Sequence, residues 1–129
     1  MRIEEYFLQI QKIIDSYSVI QSSKIMFDKR GTYEGFIRGD LYLLDGSILH
    51  LREFVDVETL EERLMYVYQY ISSSKELIFR YDNTGHHRKL SLPTYPHHKH
   101  EGSEDNIAPA TASDLASVLE GINSIVQLP

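Results

Sequence analysis

Apolar residues recur at intervals of four and three along the first seventeen positions, at Ile3, Phe7, Ile10, Ile14 and Tyr17. Glu4, Gln9, Gln11 and Lys12 fall largely outside that stripe, so the pattern predicts an amphipathic helix. At barely two heptads such a helix is marginal alone and is expected to pack on a sheet of its own chain. From about Val19 the period changes. Runs rich in β-branched and aromatic residues predict strands near 23–30, 34–44, 47–57, 63–72 and 76–83. Asp45-Gly46, flanked by Leu43-Leu44 and Ile48-Leu49, reads as a two-residue hairpin turn with positive φ at both positions. Ser72-Ser73-Ser74-Lys75 is a second, weaker turn signal. Strands joined by such short turns are antiparallel, because parallel pairs need long crossovers. The predicted sheet is a five-stranded meander.

Residues 84–112 contain Gly85, Pro93, Pro96, Gly102 and Pro109 and read as one long loop. Loops of that length in compact domains usually carry function or are disordered. Beyond it, Thr111-Ala112-Ser113-Asp114 offers a capping box, and Leu115, Val118, Leu119, Ile122 and Val126 give a second amphipathic helix. The expected fold is α+β: an N-terminal helix, a five-stranded antiparallel meander sheet, a long His-rich loop and a C-terminal helix, in one domain over 1–129.

The turns also assign faces. With Asp45-Gly46 as the two turn residues, Tyr42 pairs with Leu49, Asp40 with Leu51 and Arg38 with Glu53, which puts Arg38, Asp40 and Glu53 on one side. Gly39 between them suggests a bulge or the close approach of another backbone. If Ser73-Ser74 closes the second hairpin, Tyr66, Tyr68 and Tyr70 form a core face with Leu77, Phe79 and Tyr81. Gln69, Arg80 and Asp82 then occupy the other side. Each polar trio is either cross-strand ion pairing on a solvent face or a cleft in which guanidinium groups bind phosphate and carboxylates orient neighbours.

Composition narrows the function classes. The 129 residues, 42% of them hydrophobic and nine of them tyrosine, describe a folded protein. The absence of cysteine excludes disulfides, thiolate metal sites and cysteine nucleophiles. Met1-Arg2-Ile3-Glu4-Glu5 has no apolar signal core and no run is long enough to span a bilayer, so a cytoplasmic protein without membrane partners is expected. A net charge of −6 argues against coating nucleic acid by electrostatics alone. That charge is uneven, however. Residues 31–85 hold ten acids against five bases, whereas residues 86–100 hold three bases and no acid. An anionic substrate could be attracted locally.

Five of the six histidines lie in that basic segment, which closes on Pro96-His97-His98-Lys99-His100-Glu101. Imidazole changes charge near neutral pH, so two chemistries compete there. In metal-independent RNA cleavage, His98 and His100, with His97 beside them, supply acid and base. Arg38, Arg80 or Lys99 stabilises charge on phosphorus, and Glu53 or Asp40 orients an imidazole or replaces one as base. Asp82 joins Arg80 on the substrate side, and Tyr95 stacks on a base or stiffens the approach. In the metal version, His98 and His100 bind a divalent ion with Glu101, Asp105 or Asp40, although no established zinc spacing is present. The first version needs no cofactor. A nucleophile elbow and a phosphate-binding glycine loop are both missing. His50, on a strand with Ile48 and Arg52, reads as a hydrogen-bonded sheet histidine, and His86 and His87 as secondary.

Several runs resemble the TumE-type toxins of bacterial and archaeal type II toxin–antitoxin systems. They are Phe36-Ile37-Arg38-Gly39-Asp40, Asp45-Gly46-Ser47-Ile48-Leu49-His50-Leu51-Arg52-Glu53-Phe54, Tyr66-Val67-Tyr68-Gln69-Tyr70 and Phe79-Arg80-Tyr81-Asp82-Asn83. Pro96-His97-His98-Lys99-His100 and Ser113-Asp114-Leu115-Ala116-Ser117-Val118-Leu119 are similar too. The resemblance implies a small cytosolic toxin neutralised by a cognate antitoxin, with a second copy of the chain as a further candidate partner. It leaves the mechanism open. By analogy with other small toxins an endoribonuclease acting on RNA is expected. A non-enzymatic toxin that occupies its target, or a small metal-binding protein, remains the alternative.

Overall fold

The computed structural model describes residues 1–59, 62–83, 98–101, 107–109 and 114–126. Helix α1 (Ile3–Asp15) is followed by five antiparallel strands in a meander. These are β1 (Ile20–Lys29), β2 (Glu34–Leu43), β3 (Ile48–Asp56), β4 (Glu62–Ile71) and β5 (Leu77–Asp82). Helix α2 (Leu115–Ile125) comes last. All five meander strands and both helices stand where hydrophobic periodicity puts them. Inside the segment expected as loop, β6 (His98–Glu101) and β7 (Ile107–Pro109) continue the sheet to seven strands in chain order. Pro109 stands at the end of β7, the last strand in the described order, a position that tolerates proline. Tyr95, His97, His86, His87 and Asp105 lie outside the described residues.

One side of the sheet carries the core. Ile3, Tyr6, Ile10 and Ile14 of α1 and Leu115, Val118, Leu119 and Ile122 of α2 are buried in one cluster with Ile37, Leu41, Leu49, Leu51, Tyr66, Tyr68 and Tyr70. Each fully buried Leu or Ile contributes on the order of 1.5–3 kcal/mol. Phe7 and Tyr17, expected on the α1 stripe, are only partly buried, while Tyr6 takes an inward position. At Gly39 the expected close approach is present. A Cβ there would meet the Lys24 carbonyl oxygen at 2.1 Å, so β1 and β2 can lie together only over glycine. The cap of α2 differs from the expected box: Asp114 itself is the N-cap, and its side chain accepts the Ser117 N–H at 2.8 Å.

The first hairpin corrects the expected register. Its turn holds three residues, Leu44-Asp45-Gly46, closed by the Gly46 N–H donating to the Leu43 carbonyl (3.0 Å) and the Leu43 N–H to the Ser47 carbonyl (2.9 Å). Gly46 has φ +87° and Asp45 does not have positive φ; Asp45 instead accepts the Ser47 N–H through Oδ1 (2.9 Å). This is a type I turn with a left-handed glycine, which adds one residue to the loop. Pairing therefore runs Tyr42↔Ile48, Asp40↔His50, Arg38↔Arg52 and Ile37↔Glu53. A slip of one residue exchanges the faces of a whole strand. Glu53 leaves the side that Arg38 and Asp40 occupy, and His50 and Arg52 take its place.

The second hairpin has the same three-residue form, with Lys75 at φ +67° and Ser72 closing onto Lys75 and Glu76. A further irregularity between Tyr70 and Ile71 moves the register by one more residue. Two shifts restore the faces, so Tyr66, Tyr68 and Tyr70 share the core side with Phe79 as expected.

Glu53 sits in that core, 1% exposed. The hydroxyl of Tyr6 donates to its Oε1, that of Tyr68 donates to its Oε2 at 2.5 Å, and Arg63 Nη1 donates to the Tyr68 oxygen at 3.0 Å. A buried carboxylate is costly unless its oxygens are hydrogen-bonded, and here both are. Burial, and then the Glu53 charge, push the Tyr68 phenol well above its usual range, which keeps it a donor. The cluster ties α1 to β3 and β4.

Candidate functional site

The sheet side away from the helices carries a different chemistry. Through the middle of the strands, between the register shifts, single residues line up in rows that cross the sheet. One row reads Lys24, Asp40, His50, Gln69, Arg80, His100. The neighbouring row reads Met26, Arg38, Arg52, Val67, Asp82, His98. With strands roughly 4.8 Å apart, each row spans about 24 Å from β1 to β6. Lys24, Arg38, Asp40, His50, Arg52, Gln69 and Arg80 line an open depression of about 800 Å³ on this face.

Electrostatics there oppose those of the chain. Four cations from four strands face two carboxylates, and both carboxylates are engaged. Asp40 Oδ1 contacts His50 Nδ1, with both side chains roughly one-third to one-half exposed. Asp82 is fully buried and pairs with Arg80 Nε at 3.0 Å. Among the described residues no carboxylate pairs with Lys24, Arg38 or Arg52, and Arg38 reaches only the Met26 sulfur, at 3.8 Å. A concave face holding unneutralised guanidinium and ammonium groups attracts polyanions despite the net charge of −6.

Of the residues singled out in the sequence, Arg38, Asp40 and Arg80 come together in the depression. His98 and His100 stand in register opposite Asp82 and Arg80. By register, β6 continues both rows. Lys99 pairs with Tyr81 instead, in the row that holds Tyr68 and Leu51 of the core side. Asp82 lies beneath the surface and serves Arg80. Glu53 lies on the other side of the sheet, in the core.

Three groups enter that the polar trios left out: Lys24, His50 and Arg52. The signal for two of them was in the strand. Leu49, Leu51, Val55 and Val57 alternate as an inward set that includes Glu53, which leaves His50 and Arg52 outward. For the metal alternative, no group of three carboxylates or imidazoles stands close enough to hold an ion among the described residues. No helix among them is long and apolar enough to cross a membrane.

A sequence model of the family described as Toxin TumE matches residues 10–127, nearly the whole chain. No curated protein and no solved structure matches it. The matched segment takes in every strand and both rows of polar residues, and on that extent the chain belongs to the TumE family of toxins.

Proposed function

We propose that the protein is an RNA-cleaving toxin whose substrate lies across the open face of the sheet. Membership in a toxin family implies an antitoxin partner, and cleavage of RNA is the activity this face suits best. The observation that carries the reading is the excess of cations in the depression, where Lys24, Arg38 and Arg52 have no carboxylate partner among the described residues. An RNA backbone supplies the complementary charge. Arg38 and Arg52, adjacent in one row, suit the planar recognition of phosphate oxygens that guanidinium groups provide.

Cleavage without a metal needs a base for the ribose 2′-hydroxyl, an acid for the leaving 5′ oxygen and a cation over the phosphate. Arg80, fixed by the buried Asp82, supplies the cation. His100 and His98, at the register positions beside Arg80 and Asp82, supply the acid. Asp82 and Gln69 position these groups, and Tyr95 stacks on a flanking base.

Purified protein incubated with total RNA tests the reading. Wild type is expected to cleave it with or without EDTA, and Arg38→Gln/Arg52→Gln and His100→Ala are expected to reduce the rate at least about tenfold. Binding without cleavage would make this a toxin that acts by occupying its target. Loss of activity on adding the chelator would replace the proposed acid–base step with a metal-assisted one.

A further inference from the structure

His50 carries an imidazole on the open face whose ring is held by a carboxylate, and the RNA-cleaving reading does not use it. Its Nδ1 is held by Asp40 Oδ1 across the β2–β3 pair, a contact that the one-residue register shift creates. With Nδ1 engaged by a carboxylate, Nε2 is the nitrogen left to exchange a proton, and the ring lines the same depression as Arg38, Arg52 and Arg80. A carboxylate so placed fixes the tautomer and the ring plane, and it stabilises the imidazolium that forms on proton uptake. An imidazole serving only the sheet would need no surrounding cations. Here Lys24 stands in its row on β1, and Arg52 follows it two residues on in β3.

We infer that His50 is the proton acceptor of the site and Asp40 its positioning residue, an inference that rests on the RNA-cleaving reading. In the row, Gln69 and Arg80 separate His50 from His100, three strand spacings or about 14 Å of backbone. A phosphodiester over Gln69 and Arg80 has an imidazole strand position on either side. The ribose 2′-hydroxyl gives its proton to His50 Nε2, and its oxygen forms a bond to phosphorus. The P–O5′ bond breaks and the leaving oxygen takes a proton from the acid on the β6 side. A 2′,3′-cyclic phosphate and a 5′-hydroxyl result, with one proton taken up and one given. The substrate class is therefore RNA with an intact 2′-hydroxyl, and DNA binds without being cut.

The test is steady-state cleavage of a short single-stranded RNA by the full chain. His50→Gln should lower kcat at least about a hundredfold with KM changed less than about threefold. Asp40→Asn should lower kcat by about tenfold or more while Asp40→Glu retains part of the rate, which a merely structural role would not produce. Added imidazole should restore part of the rate to His50→Ala, and that comparison within one variant holds even if either substitution lowers the melting temperature. Undiminished kcat in His50→Gln, or no rescue by imidazole, overturns the assignment and leaves the RNA-cleaving reading intact. Wild type that leaves the RNA whole overturns that reading itself.

Discussion

Glu53 and His50 show how much rests on the environment of a single side chain. Both are polar residues of β3, three apart in sequence and on opposite faces. Glu53 is buried, and its two oxygens accept from the Tyr6 and Tyr68 hydroxyls, which lets a carboxylate stay in an apolar core. Replacing it with alanine strips the acceptor from two buried hydroxyls, each left unsatisfied at about 1–3 kcal/mol. Glu53→Ala is therefore expected to lose about 2–4 kcal/mol of stability in urea unfolding followed by circular dichroism, with RNA affinity of the folded fraction unchanged. A loss of catalysis at unchanged stability would return Glu53 to the reaction. Asp82 follows the same logic on the other face: its burial beneath Arg80 makes it a support for a cation.

At the scale of elements, the helices follow from local pattern and their ends from single residues. Asp114 caps α2 through the Ser117 N–H. Burial pushes its carboxyl up, but the hydrogen bonds from Ser117 and the Arg63 charge outweigh that and hold it below the usual aspartate range. A carboxyl lowered in the folded state stabilises above its unfolded value and loses that contribution as pH falls through the folded one. Asp114→Ala should cost about 1 kcal/mol in thermal unfolding at neutral pH. The difference from wild type should shrink below about pH 4, as the cap is protonated in both states. A constant difference down to pH 2 would mean the carboxylate charge plays no part. The strands were legible in the same way, because alternation is local. Their registers were less so: Asp45-Gly46 suits either a two-residue or a three-residue turn, and each puts a different face of β3 inward. Pairing Leu49 with Leu41 and Leu51 with Gly39, on the side of Ile37, selects the longer turn, since otherwise the two leucines would pair with Tyr42 and Asp40.

For the whole molecule, the seven-stranded sheet divides the described residues into an apolar side under two helices and a polar side that holds the depression, and the cations gather on the polar side. Affinity for RNA should then fall steeply with salt. Three phosphate contacts by Lys24, Arg38 and Arg52 correspond to a slope of about −2 in log K against log salt for single strands, and Arg52→Gln should reduce it by about 0.7. Fluorescence anisotropy of a labelled oligonucleotide measures both. Salt-independent binding would remove the phosphate backbone from recognition.

By itself the order of residues determined the two helices, the meander, the absence of thiol chemistry and the family, because periodicity, turn composition and motif runs are properties of neighbouring positions. It also brought out Arg38, Asp40, Arg80 and the histidines around His98 as chemically notable. Only the tertiary structure decided that Glu53 turns inward while His50 meets Asp40, and that Asp82 lies under Arg80. It alone set Lys24 through His100 in one row across six strands. Those outcomes depend on register, which a single extra residue in a turn reverses, and on burial, which is created by side chains distant in sequence.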